Sequence, residues 1–153
     1  MVLVEDESDA SDPDLAEIRR WAEQVLAAEG YPPTAELSVI LVTDEAMARL
    51  HQAALGQEGP TDVLSFPVDR LAPGRPPLSA EGPPVVVGDV YLAPRYIDAQ
   101  ARSLDLDGRD ELALMVTHGV LHCLGYDHGT EIEAETMESR ERELLAAVGR
   151  TRR

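Results

Sequence analysis

Residues 118–128 read HGVLHCLGYDH and gather three of the chain's 4 histidines at the spacing His-x3-His-x5-His. Imidazole suits borderline divalent metals such as zinc. His118 and His122 are four residues apart, so on a helix they rise from one face on successive turns. Gly125 can end that helix in a left-handed conformation. The turn through Tyr126 and Asp127 can then fold His128 back over the first two. Three neutral nitrogen ligands with an open fourth position is the arrangement of a catalytic zinc, whereas structural sites are usually closed by four protein ligands. Zinc so held lowers the pKa of bound water to about 7. The rival reading, ordinary polar residues around a helix end, suits one histidine but not three at this spacing beside the glycine.

Such ligands need a rigid support. Leu112, Met115, Val116, Gly119, Val120 and Cys123 follow helical spacing, with Leu114 and Leu121 elsewhere on the cylinder. A helix apolar nearly all round is central and buried, and imidazoles within it need polar partners. Cys123 lies about 100° round the helix from His122, in the apolar stripe, and reads as packing.

Other segments supply the packing. VLVED is a short strand. The segment SDPDLAEIRRWAEQVLAAEGYPP is a helix capped by Asp12, with Pro13 in its first turn and Leu15, Ile18, Trp21, Ala22 and Val25 as its apolar stripe. AELSVILVT is a strand, and DEAMARLHQAAL a short helix capped by Thr43 or Asp44. TDVLSFPV and PVVVGDVYLA are strands rich in β-branched residues. They flank an exposed loop at 69–84 that holds five of the 11 prolines, which suggests an antiparallel pair. APRYIDAQARSL is helical, the histidine helix follows, and TEIEAETMESRERELLAAVG is the last helix, with Ile132, Met137, Leu144, Leu145 and Val148 on one face. The basic RTRR after it is expected to fray. This order predicts an α+β fold: a small mixed sheet of about four strands with about five helices packed on it, the metal-binding helix at its centre, and residues 1–153 as one domain.

Composition narrows the function. The net charge is −16, and all 13 basic residues are arginine. An acidic surface repels nucleic acid, so an RNA-facing role needs a local basic patch or the charge of a bound metal. No apolar run approaches the roughly 18 residues that span a bilayer. The acidic opening MVLVEDESDASDPD lacks the basic region of a signal peptide. Cys123 is the single cysteine, so no intramolecular disulfide forms. A cytoplasmic protein without a membrane partner is expected.

The histidine spacing resembles the metzincin proteases, with H-E-x-x-H-x-x-G-x-x-H. Gly119 stands where those enzymes carry their glutamate base, so the ligand set is kept and the peptidase base is missing. The closer resemblance is to the YbeY family of bacterial rRNA-processing endoribonucleases. HGVLHCLGYDH matches the family's H-G-x-L-H-x-x-G-Y-D-H at every fixed position. PTDVLSFP at 60–67 is as characteristic, GDVYLA at 88–93 is similar to the family's G-D-I strand, and Met137 falls where the family carries a methionine. The likeness runs from about residue 2 to residue 148.

The resemblance implies zinc held by His118, His122 and His128. It implies a single-strand-specific endoribonuclease in late maturation of small-subunit ribosomal RNA and in ribosome quality control. The implied partners are that RNA, the small ribosomal subunit and ribosome-associated proteins. One departure stands out. The family often carries an asparagine, then a tyrosine-arginine pair, ahead of TDVLSFP; an ungapped alignment places His51, Ala54 and Leu55 there. Arg49, Arg70, Arg75 or Arg95, or a partner protein, would then contact RNA. Asp62 and Ser65 are the candidate catalytic side chains besides metal-activated water, with strand-end hydrogen bonding as the plainer reading. Asp89 and Asp127 could orient histidine nitrogens, turn capping being the alternative for Asp127. His51 reads as a surface helix residue. Two rival functions remain: a non-enzymatic ribosome-assembly factor with a structural metal, and a metal-dependent hydrolase of another class.

Overall fold

The computed structural model describes residues 1–77 and 81–153, so residues 78–80 of the proline-rich loop lie outside the described residues. The elements are β1 (Val2–Glu7), α1 (Leu15–Ala28), β2 (Glu36–Val42), α2 (Asp44–Leu55), β3 (Val63–Pro67), β4 (Val86–Leu92), α3 (Pro94–Ser103), α4 (Gly108–Cys123) and α5 (Glu131–Ala147). The α+β reading, with a four-stranded mixed sheet and five helices, is borne out among the described residues.

The strands lie in the order β1-β2-β4-β3. β1, β2 and β4 run parallel, and β3 runs antiparallel to β4 with Val63 opposite Leu92 and Pro67 opposite Gly88. The hairpin-like pairing across the 69–84 loop is therefore as expected. β1 is an edge strand whose far half, Glu5 to Glu7, is exposed and wholly acidic.

Strand alternation divides the core. On β2, Leu37, Val39 and Leu41 face the main core with α1, α4 and α5, while Ile40 and Val42 face a smaller cluster containing Met47 of α2. α4 lies in the main core against β3, β4 and three other helices. Its Val116, Val120 and Leu121 are fully buried, each worth about 1.5–3 kcal/mol relative to exposure. A helix surrounded in this way is a fixed platform for whatever side chains leave it.

Two helix ends depart from expectation. Asp14, not Asp12, caps α1, its carboxylate accepting from the Glu17 amide at 3.0 Å. Asp12 adopts φ +46° outside the helix. SDPD offers two aspartates, and only Asp14 stands three residues before Glu17, the capping-box spacing. Ile132 is 78% exposed and does not share the α5 stripe. It sits five residues before Met137, about 140° round the helix from it. The stripe that the helix buries is Met137, Glu141, Leu144 and Leu145, and a carboxylate is one of its members.

RTRR does not fray. Arg152 Nε donates to Glu141 at 3.0 Å, and Arg153 Nε to both oxygens of Glu111 at 2.9 and 3.1 Å. Glu111 and Glu141 are each 1% exposed. Buried carboxylates require partners, and that requirement outweighs the entropy of a free segment.

Candidate metal centre

α4 begins at a firm cap. Asp107 accepts from the amides of Arg109 and Asp110 at 2.9 and 3.0 Å, and Asp110 and Glu111 in the first turn complement the helix dipole. From its last two turns rise His118 and His122. The helix ends at Cys123, Gly125 takes φ +100°, and the chain reverses to exposed His128. Gly125 is needed for space as well as for φ, because a Cβ there would sit 2.3 Å from the Leu71 carbonyl oxygen. The loop that follows β3 thus abuts the turn between the second and third histidines.

The three rings converge, with centroids 4.5, 5.6 and 4.9 Å apart. One ring nitrogen from each lies within 4.8 Å of the others. Nitrogens sharing a tetrahedral zinc at about 2.1 Å stand about 3.4 Å apart, so a small closure brings them into range.

Hydrogen bonds fix two of the tautomers. His118 Nδ1 is 2.7 Å from Glu141 Oε2, and His122 Nδ1 is 2.9 Å from the Tyr126 carbonyl oxygen. A carbonyl or ionised carboxylate can only accept, so each Nδ1 carries the proton and each Nε2 keeps its lone pair for a metal. Burial holds the His122 pKa below its ordinary value, and the nearby His118 and His128 rings lower it further. Both effects favour the neutral, ligating form. Burial works against the charge on Glu141. The hydrogen bonds from His118 and Arg152 and the charge of Arg152 outweigh it and hold this carboxyl below the usual range. The donor set is three imidazoles, two of them tethered from behind by a carboxylate and a carbonyl, and it fits a borderline divalent ion.

The other expected residues divide. Asp62 and Val63 line a cavity together with His118, Glu141, Arg152 and Arg153. Asp62 Oδ1 accepts from the Val63 amide at 2.8 Å, and Oδ2 lies 3.4 Å from Gln100 Nε2. Ser65 points into the packing instead, donating to the Gly119 carbonyl at 2.8 Å. Asp127 accepts from the His128 amide at 2.8 Å, which is turn capping. Among the described residues, neither Asp127 nor Asp89 bonds a histidine ring nitrogen; Glu141 and the Tyr126 carbonyl do this instead. The signal for Glu141 was its place within an apolar stripe. Nothing in the local sequence marks the Tyr126 carbonyl.

Cys123 is core, as its spacing indicated. It is 1% exposed, and burial pushes its thiol up to about 12. Gly119 packs against the sheet, where a Cβ would lie 2.6 Å from Val90 Cγ1 and 3.1 Å from Val63 Cγ2. A glutamate has no room there. The position that carries the base in metzincins is here a helix–sheet contact.

The arginine-rich alternatives also separate. Leu55 is 58% exposed at the end of α2 and is not among the residues lining the Asp62–His118 cavity. His51, on α2, has its Nδ1 2.9 Å from the Gly59 carbonyl oxygen and ties the following loop to the helix. Arg95 is paired with Asp9 at 2.9 Å. Arg70 is exposed beside Leu71 in the loop that abuts Gly125. No helix among the described residues is long and apolar enough to cross a membrane.

Similarity to known proteins runs through the whole architecture. The endoribonuclease YbeY family profile matches residues 3–149. Endoribonuclease YbeY of Thermobifida fusca is 45% identical over 134 residues, covering 88% of this chain and 85% of the relative. That of Mycolicibacterium smegmatis is 42% identical over 137 residues, covering 90% and 75%. The solution structure of TM1509 from Thermotoga maritima superposes with a TM-score of 0.63 at 26% identity, covering 96% of this chain and 91% of the other. With the profile spanning nearly every element described above, the chain belongs to the endoribonuclease YbeY family.

Proposed function

We propose that this protein is a zinc-dependent, single-strand-specific endoribonuclease of late small-subunit ribosomal RNA maturation and ribosome quality control. It works as one domain over residues 1–153, in the cytoplasm, on that RNA and the small subunit, with ribosome-associated proteins as further partners. The observation that carries the reading is the convergence of His118, His122 and His128, two of them held by Nδ1 so that Nε2 is free. Bound zinc supplies a Lewis acid for a phosphoryl oxygen and lowers the pKa of its water to about 7.

The chain's own residues do the rest. Glu141 and the Tyr126 carbonyl orient two imidazoles with Nδ1 as the donor. Asp62, at the wall of the His118 cavity, can accept a proton or a ribose hydroxyl hydrogen bond. Arg70, exposed in the loop against Gly125, is the candidate phosphate contact in a chain whose net charge otherwise repels RNA. The exposed Leu55 favours one competitor, an assembly factor whose metal is structural.

Purified protein incubated with a single-stranded RNA oligonucleotide, with and without chelator, separates the two. Cleavage that chelation abolishes and zinc restores is expected, together with loss in His122→Ala. End-group analysis of the products tells water attack from attack by the 2′-hydroxyl. Metal retention with no cleavage supports the assembly factor. Cleavage untouched by chelator and by His122→Ala sinks the zinc mechanism.

A further inference from the structure

Residues 150–153 hold three arginines, each docked on a carboxylate of α4 or α5. Arg150 reaches Asp110 at 3.3 Å, Arg152 reaches Glu141 at 3.0 Å, and Arg153 reaches Glu111 at 2.9 Å. Only one of these carboxylates also touches a histidine of the metal centre. Glu141 is divided between two partners: Oε2 accepts from His118 Nδ1, and Oε1 accepts from Arg152 Nε. A carboxylate turns broadly about its last torsion when nothing fixes it. With Oε1 held by the guanidinium, that rotation stops and Oε2 stays on His118.

We propose that Arg152 is a positioning residue for the metal centre, acting through Glu141 to hold His118 with its Nε2 towards the point shared with His122 and His128. The proposal rests on the metal reading above. Arg152 is well placed for the role. Its side chain is 17% exposed, against 24% for Arg150 and 41% for Arg153, so it is the least solvated of the three. It lines the same cavity as Asp62 and His118. Arg150 and Arg153 already fasten the segment to α4, so simple docking does not require the contact that Arg152 makes.

Zinc affinity is to be measured by competition with a chromophoric chelator, and ligand geometry by the absorption spectrum of the cobalt-substituted protein. Arg152→Ala and the packing-preserving Arg152→Met are expected to weaken zinc about tenfold or more, as loss of a partner behind a ligand does, and to alter the cobalt spectrum. Arg152→Lys should recover part of the loss. Arg150→Ala should lower the melting temperature yet leave zinc affinity within about twofold. In a Glu141→Leu background, Arg152→Ala should change affinity no further, because its route to His118 is already gone. Parental affinity and spectrum in Arg152→Met overturn the proposal, whether or not Arg152→Ala folds. An additive loss in the Glu141→Leu background overturns it too. If the parent itself binds no divalent ion, the metal reading falls and takes this proposal with it. If the parent binds and the Arg152 variants bind equally, only the proposal falls.

Discussion

His118 Nδ1 and Glu141 Oε2 meet at 2.7 Å across the packing of α4 on α5, from residues 23 apart in sequence. One is 26% exposed in its side chain, and the other is buried to 1%. The pair joins the histidine cluster to the core of the molecule, so a change on α5 is felt at His118 on α4.

Glu141→Leu should therefore fold and yet lose metal. Removing one partner of a buried ion pair is destabilising, but Arg152 keeps Glu138 at 3.8 Å and some solvent access, so the variant should melt lower than the parent and still fold. Loss of a carboxylate behind a ligating histidine costs about 10–100-fold in metal affinity. Circular dichroism with a chelator competition checks both halves. Unchanged affinity would mean that His118 needs no tether.

Gly119→Ala should destabilise the protein without touching a ligand. The added Cβ would sit 2.6 Å from Val90 Cγ1 in β4 and force α4 off the sheet. Overpacking of this kind costs about 1–3 kcal/mol. For a chain of this length that is a fall of about 2–4 °C in melting temperature per kcal/mol. Thermal unfolding of chelated protein isolates the effect from metal binding, and an unshifted midpoint would show that the helix can retreat freely.

Ser65→Ala and Asp62→Ala should behave oppositely. The Ser65 hydroxyl is spent on the Gly119 carbonyl, so its loss should cost about 0.5–1.5 kcal/mol of stability and leave the RNA cleavage rate of the folded enzyme intact. Asp62 lines the His118 cavity, so its removal should lower cleavage while the metal content stays at the parental level. Single-turnover cleavage beside elemental analysis reads both, and a large rate loss in Ser65→Ala would reverse the assignment.

Asp107 should contribute to acid sensitivity. The Asp110 amide, more than any other group, holds its carboxyl below the usual range; partial desolvation works the other way, and the Arg109 amide and the charges of Arg150 and Arg109 add to the lowering. A depressed carboxyl contributes stability above its unfolded pKa, about 3.9, and loses it as pH falls through the lower folded value. Asp107→Asn keeps the cap acceptor and removes the titration. Parent and variant should differ in melting temperature above about pH 5 and converge towards about pH 2. A constant gap across that range would show that the charge plays no part.

The sequence revealed what depends on local periodicity. His118 and His122 share a face because a helix repeats every 3.6 residues, and their apolar neighbours already placed that helix in the core. Alternation on β3 was also available. Val63 and Ser65 flank the Cβ position of Gly119, while Leu64 faces the opposite cluster, so the inward turn of Ser65 could have been read. The stripe marks Glu141 as buried, but its partners His118 and Arg152 could not be read from sequence alone. Their meaning arises only when α5 docks on α4 and turns a carboxylate towards a histidine. Charge and position make the basic segment read as solvent-exposed chain, and only the buried glutamates reverse that.

The acidic half of β1 bears on self-association. An edge strand offers unpaired backbone groups to any second chain, and β1 has only β2 as a sheet neighbour. Glu5, Asp6 and Glu7 line its far half in sequence. A second copy pairing there in parallel register would bring its own three carboxylates alongside, in a molecule already at −16. Like charges opposed across a strand pair are destabilising. The acidic far half of β1 therefore weighs against the addition of another acidic strand at that edge.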